Sequence, residues 1–176
     1  MKSTGVVRRV DDLGRIVIPK EIRRTLRIRD GEELEIFVDD DLIYLKKFSK
    51  IADLGDISRK IVDVVSSCVG KTVLIADRDS FIAGAGSLKK KYLDKLISKD
   101  LEDIVIERKN VLEKVLSNII LIEGEEDKYS YSVSPIIVGG DALGIVIILS
   151  DSSDIAEFDH NIGGMIAQFL GKYVED

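Results

Sequence analysis

The first fifty residues consist of short apolar segments separated by turns, and this pattern limits how such a chain can fold. Alternating and β-branched residues predict strands over residues 5–10, 15–18, 34–38 and 42–47. Pro19 stops the second strand and suits the first position of a short helix that runs to Leu26. Four short strands and one helix bury little surface, and we expect neither a disulfide nor a metal ion to cross-link them. We therefore expect two chains to interleave these strands into one core.

Charge is unevenly distributed along the chain. The net charge is −6, yet residues 1–50 hold 12 Lys and Arg against 10 Asp and Glu, and residues 1–30 hold 9 against 4. Residues 51–176 carry 14 basic and 22 acidic side chains. Attraction to phosphates decays within roughly 8 Å at physiological salt, so the local balance decides which partner is attracted. The amino-terminal region is therefore a candidate for binding nucleic acid.

Beyond residue 50 the apolar spacing becomes that of amphipathic helices. Residues 51–68 repeat apolar side chains every three or four positions, and a closing helix predicted over 153–173 does the same. The elements predicted between them are strands over 72–76, 81–85, 129–138 and 142–150, a helix over 88–97 and a mixed segment over 101–122. This order predicts an α+β domain with an antiparallel sheet flanked by helices. Two apolar stripes from each of two chains would form a four-helix bundle, so we expect this domain to oligomerise.

A long ungapped motif occupies the amino-terminal region. The run KSTGVVRRVDDLGRIVIP at residues 2–19, continued by EIRRTL at 21–26 and LEIFV at 34–38, resembles the AbrB family of transition-state regulators. The resemblance implies a swapped-hairpin β-barrel, a dimer that presents arginines to double-stranded DNA. The residues at those positions are Arg8, Arg9, Arg15, Arg23 and Arg24. Gly14 is expected to serve the turn that exposes Arg15, because glycine adopts backbone angles closed to other residues.

The carboxyl-terminal region is similar to a GAF domain. SPIIV at residues 134–138 runs through a glycine turn into LGIVI at 143–147, and a helix closes the chain. An AbrB module at 1–50 followed by a GAF-like domain at 51–176 resembles sporulation regulators of endospore-forming bacteria. The resemblance implies an activator and repressor of sporulation genes, associated with the nucleoid of the forespore. We expect dimers through residues 1–50 and a tetramer through the helices of 51–176.

We predict no catalytic site, no metal site and no enzyme. Cys68 is expected to be a buried thiol on the apolar stripe, and His160, beside Asp159, a surface or interface side chain. The acidic run at 39–41 lacks the spaced ligands of a calcium loop and is interpreted as a solvated turn. No cofactor is predicted, although the GAF resemblance leaves open a small-molecule ligand of unknown identity.

No apolar run approaches the roughly 20 residues that cross a bilayer, and no signal peptide is predicted, so we expect a cytoplasmic protein without a membrane partner. The alternative function is an antitoxin that uses the same swapped hairpin to hold a toxin and autoregulates its operon. The 126 residues of periodic segments that follow residue 50 favour the regulator, because antitoxins of this kind carry a short acidic tail. A GAF-type reductase of oxidised methionine is more remote, since it would need more than one suitable cysteine.

Overall fold

The computed structural model describes residues 5–175 and divides the chain into two compact units, Met1–Phe48 and Ser49–Asp176. In chain order the elements are α1 Lys20–Thr25, β1 Leu34–Asp39, β2 Leu42–Lys47, α2 Lys50–Asp53, α3 Gly55–Val69, β3 Thr72–Asp77, β4 Phe81–Ala85, α4 Lys89–Tyr92, α5 Lys99–Ile106, β5 Val111–Ile122, β6 Glu125–Val138, β7 Asp141–Ser150 and α6 Glu157–Glu175. None of the described helices is long and apolar enough to span a membrane.

The first unit contains one helix and one hairpin. Strands β1 and β2 pair antiparallel from Leu34 opposite Lys47 to Asp39 opposite Leu42. A short helix α1 forms where it was predicted, but Pro19 is its N-cap and not its first residue. Among the described residues of this unit Pro19 alone is buried, and large apolar side chains such as Val7 and Val38 are 86% and 74% exposed. Residues 5–48 therefore form no apolar core of their own in a single chain.

The strands predicted over residues 5–10 and 15–18 are absent from the described part of the single chain. These segments flank a tight turn that is closed by hydrogen bonds between the main chains of Asp11, Gly14 and Arg15. A strand needs a hydrogen-bonded neighbour. Among the described residues, the sheet of this unit contains only β1 and β2. The β-branched residues at 5–10 and 15–18 are therefore not sufficient to form strands.

The second unit is built on a five-stranded antiparallel sheet with the strand order β4-β3-β7-β6-β5. The two central strands, β3 and β7, alternate their side chains between two apolar cores. Leu74 and Ile147 point to the core that α4 and α5 cover, whereas Ile75 and Val146 point to the core that α3 and α6 cover. Near-continuous apolar sequence in β3 and β7 follows from burial on both faces.

Several predicted boundaries in this unit were wrong. The helix expected over 51–68 is two helices, because Leu54 caps both α2 and α3. The helix expected over 88–97 ends at Tyr92, and the next residues hydrogen-bond to residues 79–81 instead. The closing helix begins at Glu157, since the residues before it bond to β5 and β6 through Ser153 and Ser152.

The buried-thiol prediction for Cys68 was also wrong, because its side chain is exposed. The buried residues of α3 are Ser58, Val62 and Ser66, so Cys68 and the exposed Val64 lie two positions from the buried Ser66. Residues spaced by three and four share a face, but that spacing does not say which of two adjacent faces meets the sheet.

Candidate nucleic-acid interface

The turn at residues 11–15 is organised by one carboxylate. Oδ1 of Asp11 accepts hydrogen bonds from the backbone N–H groups of Leu13 at 3.0 Å and Arg15 at 2.8 Å. Oδ2 of Asp11 accepts a hydrogen bond from Nε of Arg15 at 2.8 Å. Gly14 adopts a φ of +77°, a conformation that glycine tolerates best. The turn thus holds Arg15 outward, with its side chain 71% exposed.

Electrostatics reinforces this turn. Hydrogen bonds from Arg15, first from its backbone N–H and then from its side chain, hold the pKa of Asp11 below its ordinary value. The carboxylate therefore stays ionised throughout the physiological pH range and keeps its pairing with Arg15.

Helix α1 positions the second arginine pair. Arg23 donates its backbone N–H to the carbonyl of Pro19 at 3.0 Å, and its Nη1 donates to Oδ1 of Asp30 at 3.1 Å. Nε of Arg23 is buried and has no hydrogen-bond partner among residues 5–175. Arg24 is exposed on the same helix.

Arg8 and Arg9 lie on the exposed segment before the turn. Nη1 of Arg8 donates to the carbonyl of Val7 at 3.1 Å, a local contact that leaves the side chain exposed. The five predicted arginines therefore form two groups, one around the turn and one on α1.

The acidic partners of the arginines were missed by sequence reasoning. Oδ1 of Asp11 shapes the turn, and its second oxygen, Oδ2, also holds Arg15. The available signal was the spacing of an Asp and an Arg four residues apart around a glycine. Asp30 gave no comparable signal, because it lies seven residues from Arg23.

The second unit contains polar contacts that are buried or partly buried. Tyr92, Tyr129 and Asp127 form a hydrogen-bonded cluster inside the core under α4. Nδ1 of His160 lies 2.8 Å from Oγ of Ser132. Within residues 5–175 no three His, Cys, Asp or Glu side chains are placed to hold a metal ion.

A surface groove of about 260 Å³ lies between α5 and strands β5 and β6. Its polar side chains include Asp100, Asn118 and Glu126, and the amide of Asn118 donates to Oε1 of Glu126 at 2.9 Å. The groove is therefore acidic and open to solvent.

Comparison with known proteins decides the family. Residues 53–175 match a family model described as stage V sporulation protein T C-terminal, transcription factor. Stage V sporulation protein T of Bacillus subtilis strain 168 is 49% identical over 177 residues, 99% of each chain. The chain belongs to the stage V sporulation protein T family of transcription factors. The predictions of a regulator, and of a protein that is not an enzyme, are confirmed by this membership.

The amino-terminal unit has its own relatives. Residues 7–52 match a model described as antidote-toxin recognition MazE, bacterial antitoxin. Transition state regulatory protein AbrB of Bacillus subtilis strain 168 is 65% identical over 48 residues, which are 27% of this chain and 50% of that protein. The predicted AbrB resemblance is thereby confirmed.

The carboxyl-terminal unit has the fold of a GAF domain. This unit is similar to the GAF domain of an Acinetobacter phosphoenolpyruvate-protein phosphotransferase. The match covers 73% of this chain and 84% of that structure, with a TM-score of 0.57 and 14% identity. At this identity the likeness establishes the fold alone. It confirms the predicted α+β class with an antiparallel, GAF-like sheet.

Proposed function

We propose that this member of the stage V sporulation protein T family binds double-stranded DNA through its first unit and regulates transcription of sporulation genes, as activator and repressor. Arg8, Arg9, Arg15, Arg23 and Arg24 make the contacts. The observation that carries the proposal is the turn at residues 11–15, where Asp11 and Gly14 hold an exposed arginine away from the chain. The planar guanidinium group of arginine can donate two parallel hydrogen bonds, either to a phosphate or to the edge of a guanine base.

Dimerisation through the first unit is the second part of the proposal. The exposed apolar side chains of residues 5–48 need a cover, and a second copy with the same strands supplies one. Interleaving would pair residues 5–10 and 15–18 with strands of the partner copy. Each arginine would then appear twice on one DNA-facing surface.

Tetramerisation through the second unit is the third part. Phe158, Met165 and Phe169 are 68%, 61% and 47% exposed along one face of α6, and Val64 and Cys68 are exposed along α3. The adjacent face of α6, with Ile166 and Leu170, packs on the sheet. A helix that is apolar on both faces supports packing against another copy. Joining two DNA-binding dimers raises avidity through effective concentration.

An antitoxin is the second candidate, and the match of residues 7–52 favours it. Antitoxins of this kind hold their toxin through a short acidic tail, whereas residues 49–176 of this chain form a folded unit with two apolar cores. Limited proteolysis separates the two functions. A resistant fragment spanning residues 49–176 favours the regulator, and rapid digestion of that region favours the antitoxin.

We therefore expect the protein in the cytoplasm, bound to the chromosomal DNA of the nucleoid. The sporulation role of its relatives points to the forespore. A small-molecule ligand of the GAF-like unit is a further part of the hypothesis, and the acidic groove beside α5 favours a neutral or cationic compound. A thermal-shift screen with nucleotides and amino acids tests it. An absence of stabilisation across the screen would favour a purely structural unit.

The DNA-binding proposal is tested by gel shift with the full chain. We expect Arg15→Ala and Arg23→Ala to lose DNA retention at moderate salt while the mass of the assembly stays unchanged. Lys99→Ala removes one positive charge from the second unit and serves as the control. Retention by both arginine variants at the level of Lys99→Ala would contradict the proposal.

A further inference from the structure

We propose that Asp11 is a positioning residue for DNA recognition, which holds the guanidinium of Arg15 in one orientation and thereby contributes to the choice of DNA sequence. The inference rests on the DNA-binding function proposed above. It assigns to an acidic side chain, which on charge alone opposes DNA binding, a role in specific recognition.

The two oxygens of Asp11 have different tasks. Oδ1 accepts from the backbone N–H groups of Leu13 and Arg15, and so fixes the path of the turn. Oδ2 accepts from Nε of Arg15 at 2.8 Å, and so fixes the direction of that side chain. One carboxylate therefore ties the guanidinium rigidly to the backbone that carries it.

The remaining donors of Arg15 suit a base edge. The guanidinium is planar, and its hydrogen bond to Asp11 uses Nε–H. Nη1 and Nη2 make no hydrogen bond within the part of the chain that the structure describes, and the side chain is 71% exposed. Two parallel Nη donors match the O6 and N7 acceptors of guanine in the major groove. A side chain already held in place also loses less freedom on binding.

The pair formed by Arg23 and Asp30 provides a contrast. Asp30 is 97% exposed and receives one hydrogen bond, at 3.1 Å from Nη1 of Arg23. It accepts none from the backbone among residues 5–175, so it does not tie its arginine to a fixed turn. We therefore assign the positioning role to Asp11 and not to Asp30.

Asp11→Asn isolates this role. The amide oxygen of Asn can replace Oδ1 in the turn, whereas the amide nitrogen cannot accept from Nε of Arg15. Asp12→Asn is the matched control, because it removes the same charge from the neighbouring exposed residue. Loss of either carboxylate reduces repulsion of the phosphates, so charge alone predicts tighter binding to any DNA in both variants.

The experiment measures affinity for two duplexes of equal length, one selected from random sequence with the wild-type protein and one unrelated. We expect Asp12→Asn to tighten binding to both duplexes by a similar factor. We expect Asp11→Asn to weaken binding to the selected duplex by about 5- to 150-fold, the range of one good bidentate contact, without weakening binding to the unrelated one. In an Arg15→Ala background the two Asn variants should behave alike.

Equal behaviour of Asp11→Asn and Asp12→Asn on the selected duplex would overturn the positioning role. Failure of wild-type protein to bind any duplex would instead overturn the proposed function itself. A second measurement needs neither DNA nor a variant. The Arg15 Nε–H should exchange with solvent more slowly than that of Arg24 in NMR spectra of the full chain, and equal exchange rates would contradict the positioning role as well.

Discussion

The phenolic oxygen of Tyr92 lies 2.8 Å from Oδ2 of Asp127, so α4 is tied to β6 by a hydrogen bond inside the second unit. The same hydroxyl lies 3.2 Å from the phenolic oxygen of Tyr129. Lys91 pairs with Asp127 from the neighbouring position of α4. The contacts fill the sheet face under α4 with protein side chains.

Tyr92→Phe tests this cluster. Burial, followed by the hydrogen bonds to Tyr129 and Asp127, raises the pKa of Tyr92 above its ordinary value of 10. A raised pKa stabilises the fold below pH 10, and that contribution is lost as the pH rises above about 10. We expect the variant to be about 1–2 kcal/mol less stable at neutral pH, and to lose less stability between pH 9 and 11 than the wild type.

Urea unfolding at several pH values measures both effects. Tyr173→Phe is the control. Because Tyr173 is 51% exposed, this variant should leave the dependence of stability on pH unchanged. Identical alkaline profiles for Tyr92→Phe and the wild type would show that the buried hydroxyl does not couple folding to pH.

Gly144→Ala tests the close approach of β7 to β3. A Cβ at Gly144 would lie 2.3 Å from the carbonyl oxygen of Ala76, a backbone atom that cannot rotate away. We expect a loss of about 1–3 kcal/mol or more in the free energy of unfolding, because the strands must separate locally. Gly164→Ala, on α6 with no atom within 4 Å of the added Cβ, should instead gain about 0.5–1 kcal/mol. Equal stability of the two variants would show that β3 and β7 accommodate the added Cβ without a loss of stability.

Met165→Glu tests the proposed assembly through α6. Met165 is 61% exposed in the single chain, so a carboxylate there costs little unless another copy covers it. We expect a lower mass by sedimentation velocity with an unchanged unfolding temperature of the second unit. Gln168→Glu adds the same charge at another exposed position of the helix and should keep the wild-type mass. A wild-type mass for Met165→Glu would place the assembly contacts elsewhere.

Local sequence predicted those elements whose partners are near in the chain or strongly apolar. The strands of the hairpin β1–β2 were predicted, because a tight turn acts over a few residues. Residues 93–97 were not, because Phe81 and Asp79 replace the helical hydrogen bonds. Residues 5–10 and 15–18 carry strand sequence, but none of them is in a strand in the structure. A strand also needs a hydrogen-bonded neighbour, which the local sequence does not specify.

The candidate site was predicted in part. The family pattern located Arg15 and Arg23, because arginines at fixed places in a long motif are visible in the sequence. Their ion pairs with Asp11 and Asp30 became visible only in three dimensions, since orientation of a side chain depends on the backbone of the turn.

The salt dependence of DNA binding tests the central claim most directly. The full chain is titrated with duplex DNA at several salt concentrations, together with five variants that each replace one of Arg8, Arg9, Arg15, Arg23 and Arg24 by alanine, and with Lys99→Ala as control. We predict a steep fall of affinity with salt in the wild type and in Lys99→Ala. For each arginine variant we predict weaker binding, with a log–log slope shallower by roughly 0.9 for every phosphate that the variant no longer neutralises. Wild-type affinity and slope in all five arginine variants would contradict the account.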